Sequence, residues 1–437
     1  MTGRRRARTF LPTAPTRPAG RIRTLLSAGA LAVCAALAAG CGVVPAVTGG
    51  SGDGTVTVMT WAPDRTRATN KPGMPAMARA YARWINAQGG IAGHKLRVLT
   101  CNEGNDSVAA AKCARLAVKE DVVAVVGSYS QYSDSFFPPL EGAGIPYLGG
   151  YGVTTAEFTR ALSYPVNGGQ PSLLVGLGKA LAGDCGPVTF VRPDSIAGDE
   201  LPGLFDTGLK AGGHGPARDQ PAAEDANEYS GQADRALKQA TAEPGRRGCV
   251  VPSLGERTSI FMDSFRRDRE GYRTVRTAAV LGNVDQTVID ASGGSAGPYE
   301  GAYITGWYPV PDDPRWAPMK KVINAQAFGD NRVDPADAGV QTTWIAYTVL
   351  RAVVERIGSG EVTADSVRRT LNDGLKAGTG GLTPPLSWSA SGPFAAAGLA
   401  RLVNAGVTLQ VVRQGRLVAA PRGTMDVTRT LQDADVG

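Results

Sequence analysis

The sequence of 437 residues predicts an α/β protein built from two doubly wound, Rossmann-like lobes. Short apolar runs alternate with helical patterns in the first half of the chain, and the same alternation returns in the second half. Several apolar runs end in glycine and hydroxyl residues, as strands do where they enter a loop. Alternating strands and helices indicate βαβ units and a parallel sheet, so two such series predict two lobes.

The stretch at 122–154 (VVAVVGSYSQYSDSFFPPLEGAGIPYLGGYGVT) shows this pattern most clearly. Residues 122–126 are apolar and mostly β-branched, which is typical of a strand covered on both faces, and residues 145–148 repeat the pattern. Ser133 and Asp134 are the predicted N-caps of the helix between them. Ligands bind at strand carboxyl ends in open α/β sheets, so the two strand exits predict one wall of a pocket; ordinary βα loops are the alternative.

The other elements follow in order along the chain. The first series has predicted strands at 55–59 and 94–99, a helix with Pro75 in its first turn and a helix at 107–119. The second series has predicted helices at 171–181, 201–210, 230–240 and 261–269, with strands at 187–191, 249–251 and 278–281. A strand at 303–307, helices at 340–357 and 362–375 and a hairpin of 407–412 with 417–419 complete the prediction. Residues 212–223 are too rich in Gly and Pro to assign, and the polar tail from Arg422 is expected to fray.

The charge of the chain is concentrated at its amino terminus. The formal net charge is +7, but residues 1–40 contain seven arginines and no acidic residue. Removing those seven from the 46 lysines and arginines leaves as many basic as acidic residues, 39 of each. A neutral mature chain gives no support to nucleic-acid binding, which requires a basic surface.

The amino terminus has the features of a bacterial export signal. An arginine-rich opening precedes the apolar run at 25–39, which is too short to span a bilayer comfortably. Small residues then lead to Cys41, and the sequence AAGC at 38–41 resembles a lipobox. We expect a lipoprotein signal peptide at 1–40, lipidation of Cys41 and a flexible Gly-rich tether at 41–54. An ordinary signal peptide with an incidental cysteine is the alternative.

Four cysteines remain in the exported part of the chain, and an even number favours disulfides outside the cytoplasm. They are Cys101, Cys113, Cys185 and Cys249. Three pairings are possible. We expect Cys101 with Cys113, from a strand end to the next helix, and Cys185 with Cys249, which precede two strands that would start side by side. Free buried thiols are the alternative.

The sequence contains one motif that could suggest catalysis. Residues 293–297 match the G-x-S-x-G spacing of a hydrolase nucleophile elbow around Ser295, which needs a preceding strand and a later histidine. Both histidines, His94 and His214, come earlier, so we interpret the motif as a loop. No zinc, calcium-loop or phosphate-loop spacing is present. A binding protein without enzymatic activity, cofactor or metal is therefore expected.

Four segments together resemble a known family. They are residues 85–99 (INAQGGIAGHKLRVL), 101–117 (CNEGNDSVAAAKCARLA), 122–152 and 228–237 (EYSGQADRAL). With the export signal and the paired series, they resemble the extracytoplasmic solute-binding proteins of ABC importers, in particular the receptor-like group for branched-chain amino acids (Leu, Ile, Val).

The resemblance implies the type I periplasmic binding protein fold, with its two lobes joined by a hinge of three chain crossings near residues 166, 300 and 385. The ligand would be enclosed by closure about this hinge. The implied segments are lobe 1 at 55–166 plus 300–385, lobe 2 at 167–299 plus 386–420, and a polar tail at 421–437.

The resemblance also implies ligand-binding residues. In the first lobe these are Ser128 or Ser130 after the third strand and Val153 with Thr154 after the fourth, with apolar walls from Trp61, Tyr129 and Tyr151. In the second lobe, many relatives have an acidic residue for the ligand ammonium where this chain has Asn283. Glu256 is a substitute for that acid, and Arg257 is available for an anion. An amide, a short peptide or an aromatic compound is therefore an alternative to a branched-chain amino acid.

The expected function is a lipid-anchored, monomeric receptor on the outer face of the cell membrane. It would capture a small polar molecule, such as an amino acid or a related compound, for an ABC permease and its ATPases. A ligand-sensing lipoprotein that reports to a membrane signalling partner is one alternative. A secreted serine hydrolase that uses Ser295 is the other.

Overall fold

The computed structural model describes residues 54–66, 69–223, 226–268, 274–280, 282–388 and 398–433. The predicted signal peptide, Cys41 and all of the tether except its last residue lie outside these ranges. None of the described helices combines the length and the apolar character that crossing a membrane would need.

The first sheet is entirely parallel, with the strand order β2-β1-β3-β4-β5. Its strands are β1 (Thr55–Ala62), β2 (Lys95–Asn102), β3 (Ala124–Val126), β4 (Tyr147–Leu148) and β5 (Ser163–Tyr164). The helices between them are α1 (Gly73–Asn86), α2 (Ser107–Lys119), α3 (Ser133–Gly142) and α4 (Ala156–Thr159). The alternation of strands and helices predicted for the first series is confirmed. The predicted capping of α3 is wrong, because the N-cap residue is Tyr132 and makes no side-chain cap bond.

The second sheet has the order β12-β11-β10-β9-β8-β6-β7, with the last five strands parallel and β11 and β12 antiparallel. Its strands are β6 (Val188–Pro193), β7 (Arg218–Ala222), β8 (Cys249–Pro252), β9 (Arg276–Val280), β10 (Tyr303–Gly306), β11 (Gly406–Arg413) and β12 (Arg416–Asp426). The remaining helices are α5 (Gly169–Leu181), α6 (Ile196–Asp199), α7 (Leu201–Ala211), α8 (Ser230–Ala240), α9 (Thr258–Asp268), α10 (Gln286–Ala291), α11 (Ala317–Gln326), α12 (Ala338–Ile357), α13 (Ala364–Asn372) and α14 (Thr428–Gln432).

Two parts of the second sheet differ from the prediction. The Gly- and Pro-rich segment left unassigned contains β7, an edge strand, where Pro221 is tolerated because one side of the strand needs no ladder partner. The expected fraying of the tail is wrong for residues 422–433. These residues complete β12 and form α14. Val427, the N-cap residue of α14, and Leu431 within the helix are both buried; they are four residues apart and therefore lie on one side of the helix.

Helix α12 covers the first sheet. Asp337 caps this helix, with Oδ1 accepting the N–H of Val340 at 2.8 Å. Tyr347 Oη lies 2.8 Å from Thr60 Oγ1, which ties the helix to β1. The apolar stripe predicted for this helix is buried. Its members are Trp344, which is 7% exposed, and Tyr347, Leu350 and Val354, which are fully buried.

The chain crosses between the two sheets three times, as expected. The crossings follow β5, follow β10 and precede β11, and hydrogen bonds join them. Asn167 Nδ2 donates to Tyr308 Oη at 3.0 Å, and Trp388 Nε1 donates to the Pro165 carbonyl at 3.0 Å. Because β10 pairs with β9 and β11, the second crossing follows Gly306 and does not fall near residue 300. The other lobe boundaries stay predictions.

Both expected disulfides are present. Cys101 in β2 is bonded to Cys113 in α2, and Cys185 is bonded to Cys249. Residue Val188 is paired with Cys249 because β6 and β8 are neighbouring parallel strands. The prediction that two strand starts meet at this bridge is therefore confirmed.

Candidate ligand-binding cleft

A cavity lies between the two lobes at the carboxyl ends of their strands. It has about 470 Å³ of empty space, counting its opening to solvent. The residues that line it are Thr69, Lys71, Tyr129, Tyr151, Gly152, Val153, Gln170, Leu173, Gly255, Val280, Gly282, Asn283 and Trp307. Both lobes therefore contribute to one cavity, which is partly open to solvent.

Three aromatic rings form one side of the cavity. The ring centroids of Tyr129 and Tyr151 are 5.2 Å apart with an interplanar angle of 62°, and those of Tyr151 and Trp307 are 5.1 Å apart at 85°. Both are edge-to-face arrangements, which aromatic pairs favour. Trp307 Nε1 donates to the Gly169 carbonyl at 2.9 Å, so the indole is fixed in place. The result is a rigid apolar wall.

The Tyr151 hydroxyl is buried and has no hydrogen-bond partner among the described residues. Burial raises the pKa of Tyr151, so the phenol is neutral and keeps its proton as a donor. A Cβ atom placed on Gly282 would lie 2.6 Å from this hydroxyl, so the second lobe approaches it closely. Unpaired buried polar groups are rare in folded proteins, and a ligand atom would satisfy this one.

Lys71 brings a positive charge to the cavity. It lies in the loop between β1 and α1 with its side chain only 10% exposed, and its Nζ is 3.3 Å from Asp337 Oδ2. Nζ is also 5.6 Å from the centroid of the Tyr151 ring. Burial lowers the pKa of Lys71, but the neighbouring acidic groups, Asp337 first, outweigh this effect and leave the pKa well above its usual value. The side chain is therefore an ammonium ion.

Glu157 holds the loop that follows β4. Its carboxylate accepts the N–H groups of Gly152 and Val153 at 3.0 Å each and that of Thr154 at 3.2 Å. The Thr154 hydroxyl donates to the same carboxylate at 3.3 Å. Burial raises the pKa of Glu157 to about 7, while these hydrogen bonds act in the opposite direction. An internal carboxylate thus occupies the donors of this loop.

The profile of the periplasmic binding protein family matches residues 66–396 of the chain. The chain belongs to this family. Its type I fold is shared with a substrate-binding periplasmic protein from Ralstonia solanacearum, at a TM-score of 0.67, 16% identity and coverage of 84% of this chain and 100% of that one. A sequence comparison with curated proteins found no match.

Two further solved structures resemble this periplasmic binding protein. One is a leucine binding protein from Thermotoga maritima, with a TM-score of 0.66, 15% identity and coverage of 85% of this chain and 99% of that one. The other is a solute binding protein of an ABC transporter from Rhodopseudomonas palustris in complex with p-hydroxybenzoic acid, with a TM-score of 0.67, 14% identity and coverage of 85% and 97%. At this identity the likeness shows a common fold.

Some of the residues predicted for the site do line the cavity of this periplasmic binding protein. They are Tyr129, Tyr151, Val153 and Asn283. Asn283 Nδ2 lies 3.4 Å from Ser253 Oγ, so its amide is held at the exit of β9. Whether any of the four binds a ligand stays a prediction.

Other predicted residues lie away from the cavity. Ser128 Oγ accepts the N–H of Trp61 at 3.1 Å, and the Ser130 hydroxyl donates to Glu103 Oε2 at 3.0 Å. The Trp61 ring is fully buried in the core of the first lobe, against aromatic side chains of α3 and β4. The hydroxyls of Ser128 and Ser130 are buried, and both form hydrogen bonds within the protein. The Ser128 hydroxyl links the exit of β3 to the end of β1, and the Ser130 hydroxyl links it to the exit of β2.

Three further predictions concern Thr154, Arg257 and Glu256. Thr154 and Arg257 are absent from the cavity lining, the first because it bonds to Glu157. The Glu256 side chain lies outside the described part of the structure. Lys71, by contrast, lines the cavity and was not predicted. Its position in the loop between β1 and α1 was the available indication, because the loops that leave the carboxyl ends of parallel strands surround the ligand site.

The suspected nucleophile elbow has the wrong surroundings. Ser295 is exposed in a 3₁₀ turn at Gly294–Ala296 that follows a helix and no strand, so the prediction of a loop is confirmed. His94 lies against the Gly358 carbonyl and His214 against that of Gly186. In the described ranges, no group of three or more His, Cys, Asp or Glu residues could hold a metal ion.

Proposed function

We propose that this periplasmic binding protein is the solute receptor of an ABC-type importer. It captures a small molecule between its lobes and delivers it to a membrane permease and its ATPases. The observation that supports this most directly is the cavity at the strand carboxyl ends, which is lined by the buried Lys71 and by Tyr151, whose hydroxyl has no hydrogen-bond partner among the described residues. The three crossings provide the hinge about which the lobes close.

The receptor is further proposed to be a lipoprotein monomer on the outer face of the cell membrane. The sequence AAGC ending at Cys41 motivates the anchor. The two disulfides support an oxidising compartment outside the cytoplasm. Cys41→Ala should release the protein from the membrane fraction into the soluble fraction, whereas Cys41→Ala protein that stays in the membrane would contradict the anchor.

A thermal-shift screen tests the receptor function. The panel contains amino acids, amides, short peptides, nucleosides and small aromatic acids, because solved proteins of this fold include a leucine binding protein and a solute binding protein in complex with p-hydroxybenzoic acid. A compound that binds only the folded protein raises its melting temperature. We expect at least one member of the panel to do so without being chemically changed. Covalent turnover of a bound compound, or no shift with any member, would contradict a receptor.

A further inference from the structure

We propose, on the basis of the receptor function above, that the ligand is a small aromatic carboxylate. Its carboxylate pairs with the Lys71 ammonium, and its ring lies against the wall formed by Tyr129, Tyr151 and Trp307. This assigns an anion site to Lys71 and makes that residue the main determinant of ligand charge.

The charge of the cavity favours an anion. Among the described residues that line it, Lys71 carries the only ionisable charge at neutral pH. An ammonium group has three donors, and Asp337 is its one hydrogen-bond partner in the described structure. Lys71 therefore has donors left for a second carboxylate, and the ligand would supply it.

The described lining of the cavity lacks the groups that an α-amino acid needs. Among the lining side chains that the structure describes, none is a carboxylate that could receive an α-ammonium group. The nearby Asp285 is buried and caps α10, with Oδ1 accepting the N–H of Val288 at 3.0 Å. The N–H groups and the threonine hydroxyl of the loop after β4, which the family resemblance assigned to the α-carboxylate, bind Glu157. A carboxylate without an adjacent ammonium fits both facts.

The remaining surface favours an aromatic ring. Two edge-to-face ring pairs line one side, and the apolar side chains of Leu173 and Val280 lie among the other lining residues. Flat rings pack well on such walls. Gln170, Asn283 and Tyr151 also line the cavity, and their amide and hydroxyl groups are the types that hydrogen-bond to ring substituents or to a carboxylate.

Calorimetry on the folded, full-length exported protein tests the ligand class. The probes are benzoate, 4-hydroxybenzoate, uncharged benzamide, cationic benzylamine and leucine. We expect the two benzoates to bind, benzamide to bind about 10- to 100-fold more weakly because one hydrogen-bonded charge is lost, and benzylamine not to bind. Binding of leucine but of neither benzoate would overturn this inference and leave the receptor function intact. Binding of no small molecule in the thermal-shift panel would contradict the receptor function itself.

A charge-removing pair of substitutions tests the role of Lys71. Lys71→Met with Asp337→Asn removes both charges and leaves neither one buried alone, and the asparagine oxygen can still cap α12. We expect this double variant to lose about 10- to 100-fold in benzoate affinity and to keep its affinity for benzamide. The matched control is Lys238→Met with Asp234→Asn, an exposed ion pair on α8 outside the cavity, which should change neither. Unchanged benzoate binding in the Lys71 double variant would overturn the proposal.

Discussion

Glu157 shows how a single residue changes what a loop can bind. Its carboxylate accepts three successive backbone N–H groups after β4, so the loop is satisfied without a ligand. The carboxylate accepts the hydrogen bonds that these backbone N–H groups would otherwise donate to water or to a ligand. The loop therefore has a structural role here, and the charge available to a ligand comes from Lys71 instead.

The pH dependence of stability should reflect Glu157. Its pKa is about 7 in the folded protein against 4.5 for an ordinary glutamate, so the folded state binds the proton more tightly than the unfolded state. This contribution is fully present below pH 4.5 and is lost as the pH rises through 7. We expect the melting temperature to fall across this range and the Glu157→Gln variant to show a shallower fall. Burial also raises the pKa of Glu103 to about 7, so Glu103 should account for the part of the pH dependence that remains in the Glu157→Gln variant.

The control for this pH profile is Glu243→Gln, which removes a carboxylate that is exposed and paired with Arg246. The control variant should keep the wild-type slope. An equal slope in the Glu157→Gln variant would show that Glu157 does not titrate in this range.

Removing the Tyr151 hydroxyl should separate stability from binding. Because this buried hydroxyl has no partner in the described structure, Tyr151→Phe should leave the free energy of unfolding unchanged or raise it. The affinity for 4-hydroxybenzoate should fall at the same time, since the hydroxyl is proposed to bond the ligand. Denaturant unfolding and calorimetry measure the two effects.

The matched control is Tyr308→Phe. Tyr308 Oη accepts from Asn167 Nδ2 at 3.0 Å, so its loss leaves a buried amide unpaired and should cost about 1–3 kcal/mol of stability. A Tyr151→Phe variant that loses as much stability as Tyr308→Phe would contradict a free hydroxyl in the cavity.

At the scale of elements, the two disulfides stabilise different lengths of chain. Cys101–Cys113 links residues 12 apart within one βα unit, whereas Cys185–Cys249 links residues 64 apart at the starts of β6 and β8. In the chain-entropy description the longer loop gives the larger stabilisation, about 4 kcal/mol against about 3. Replacing each pair by alanine and measuring unfolding in denaturant should rank the two in this order. If the Cys101–Cys113 replacement lost more free energy of unfolding, contacts near Cys101 would contribute more to stability than the difference in loop length.

At the scale of the whole molecule, the two lobes lie close together at Tyr151 and Gly282, and the proposed capture of a ligand between them requires this approach. A Cβ atom on Gly282 would lie 2.6 Å from Tyr151 Oη, closer than van der Waals contact allows. We therefore expect Gly282→Ala to keep the lobes apart and to weaken binding of the compound that raises the melting temperature. Calorimetry with that compound measures the effect.

Gly255→Ala is the matched control for this substitution. Gly255 also lines the cavity and has a positive φ of +57°, like the +95° of Gly282, so both variants carry backbone strain. A Cβ atom on Gly255 would meet nothing within 4 Å. If Gly255→Ala weakened binding as much as Gly282→Ala, strain and not the closeness of the lobes would be the cause.

The fold class and both disulfides could be predicted from the sequence. They follow from local periodicity and from the adjacency of successive parallel strands, which a linear pattern encodes directly. The three crossings were expected only from the resemblance to the family. Tyr129, Tyr151 and Asn283 line the cavity because each follows the carboxyl end of a strand, the first two in the first sheet and Asn283 in the second. The tail after Arg422 was predicted poorly because two buried apolar residues in a polar segment give too weak a pattern.

The hydrogen-bond partners of the side chains around the cavity could not be predicted from the sequence. Lys71 and Asp337 meet across 266 residues, and Glu157 reaches back to the loop after β4, so that Thr154 bonds within the protein. Ser128 likewise bonds to Trp61, 67 residues away. Such pairings depend on side-chain direction and on contacts between distant segments, which local sequence does not specify. The strand exits were therefore predictable, whereas the charge and the free donors that they present to a ligand were not.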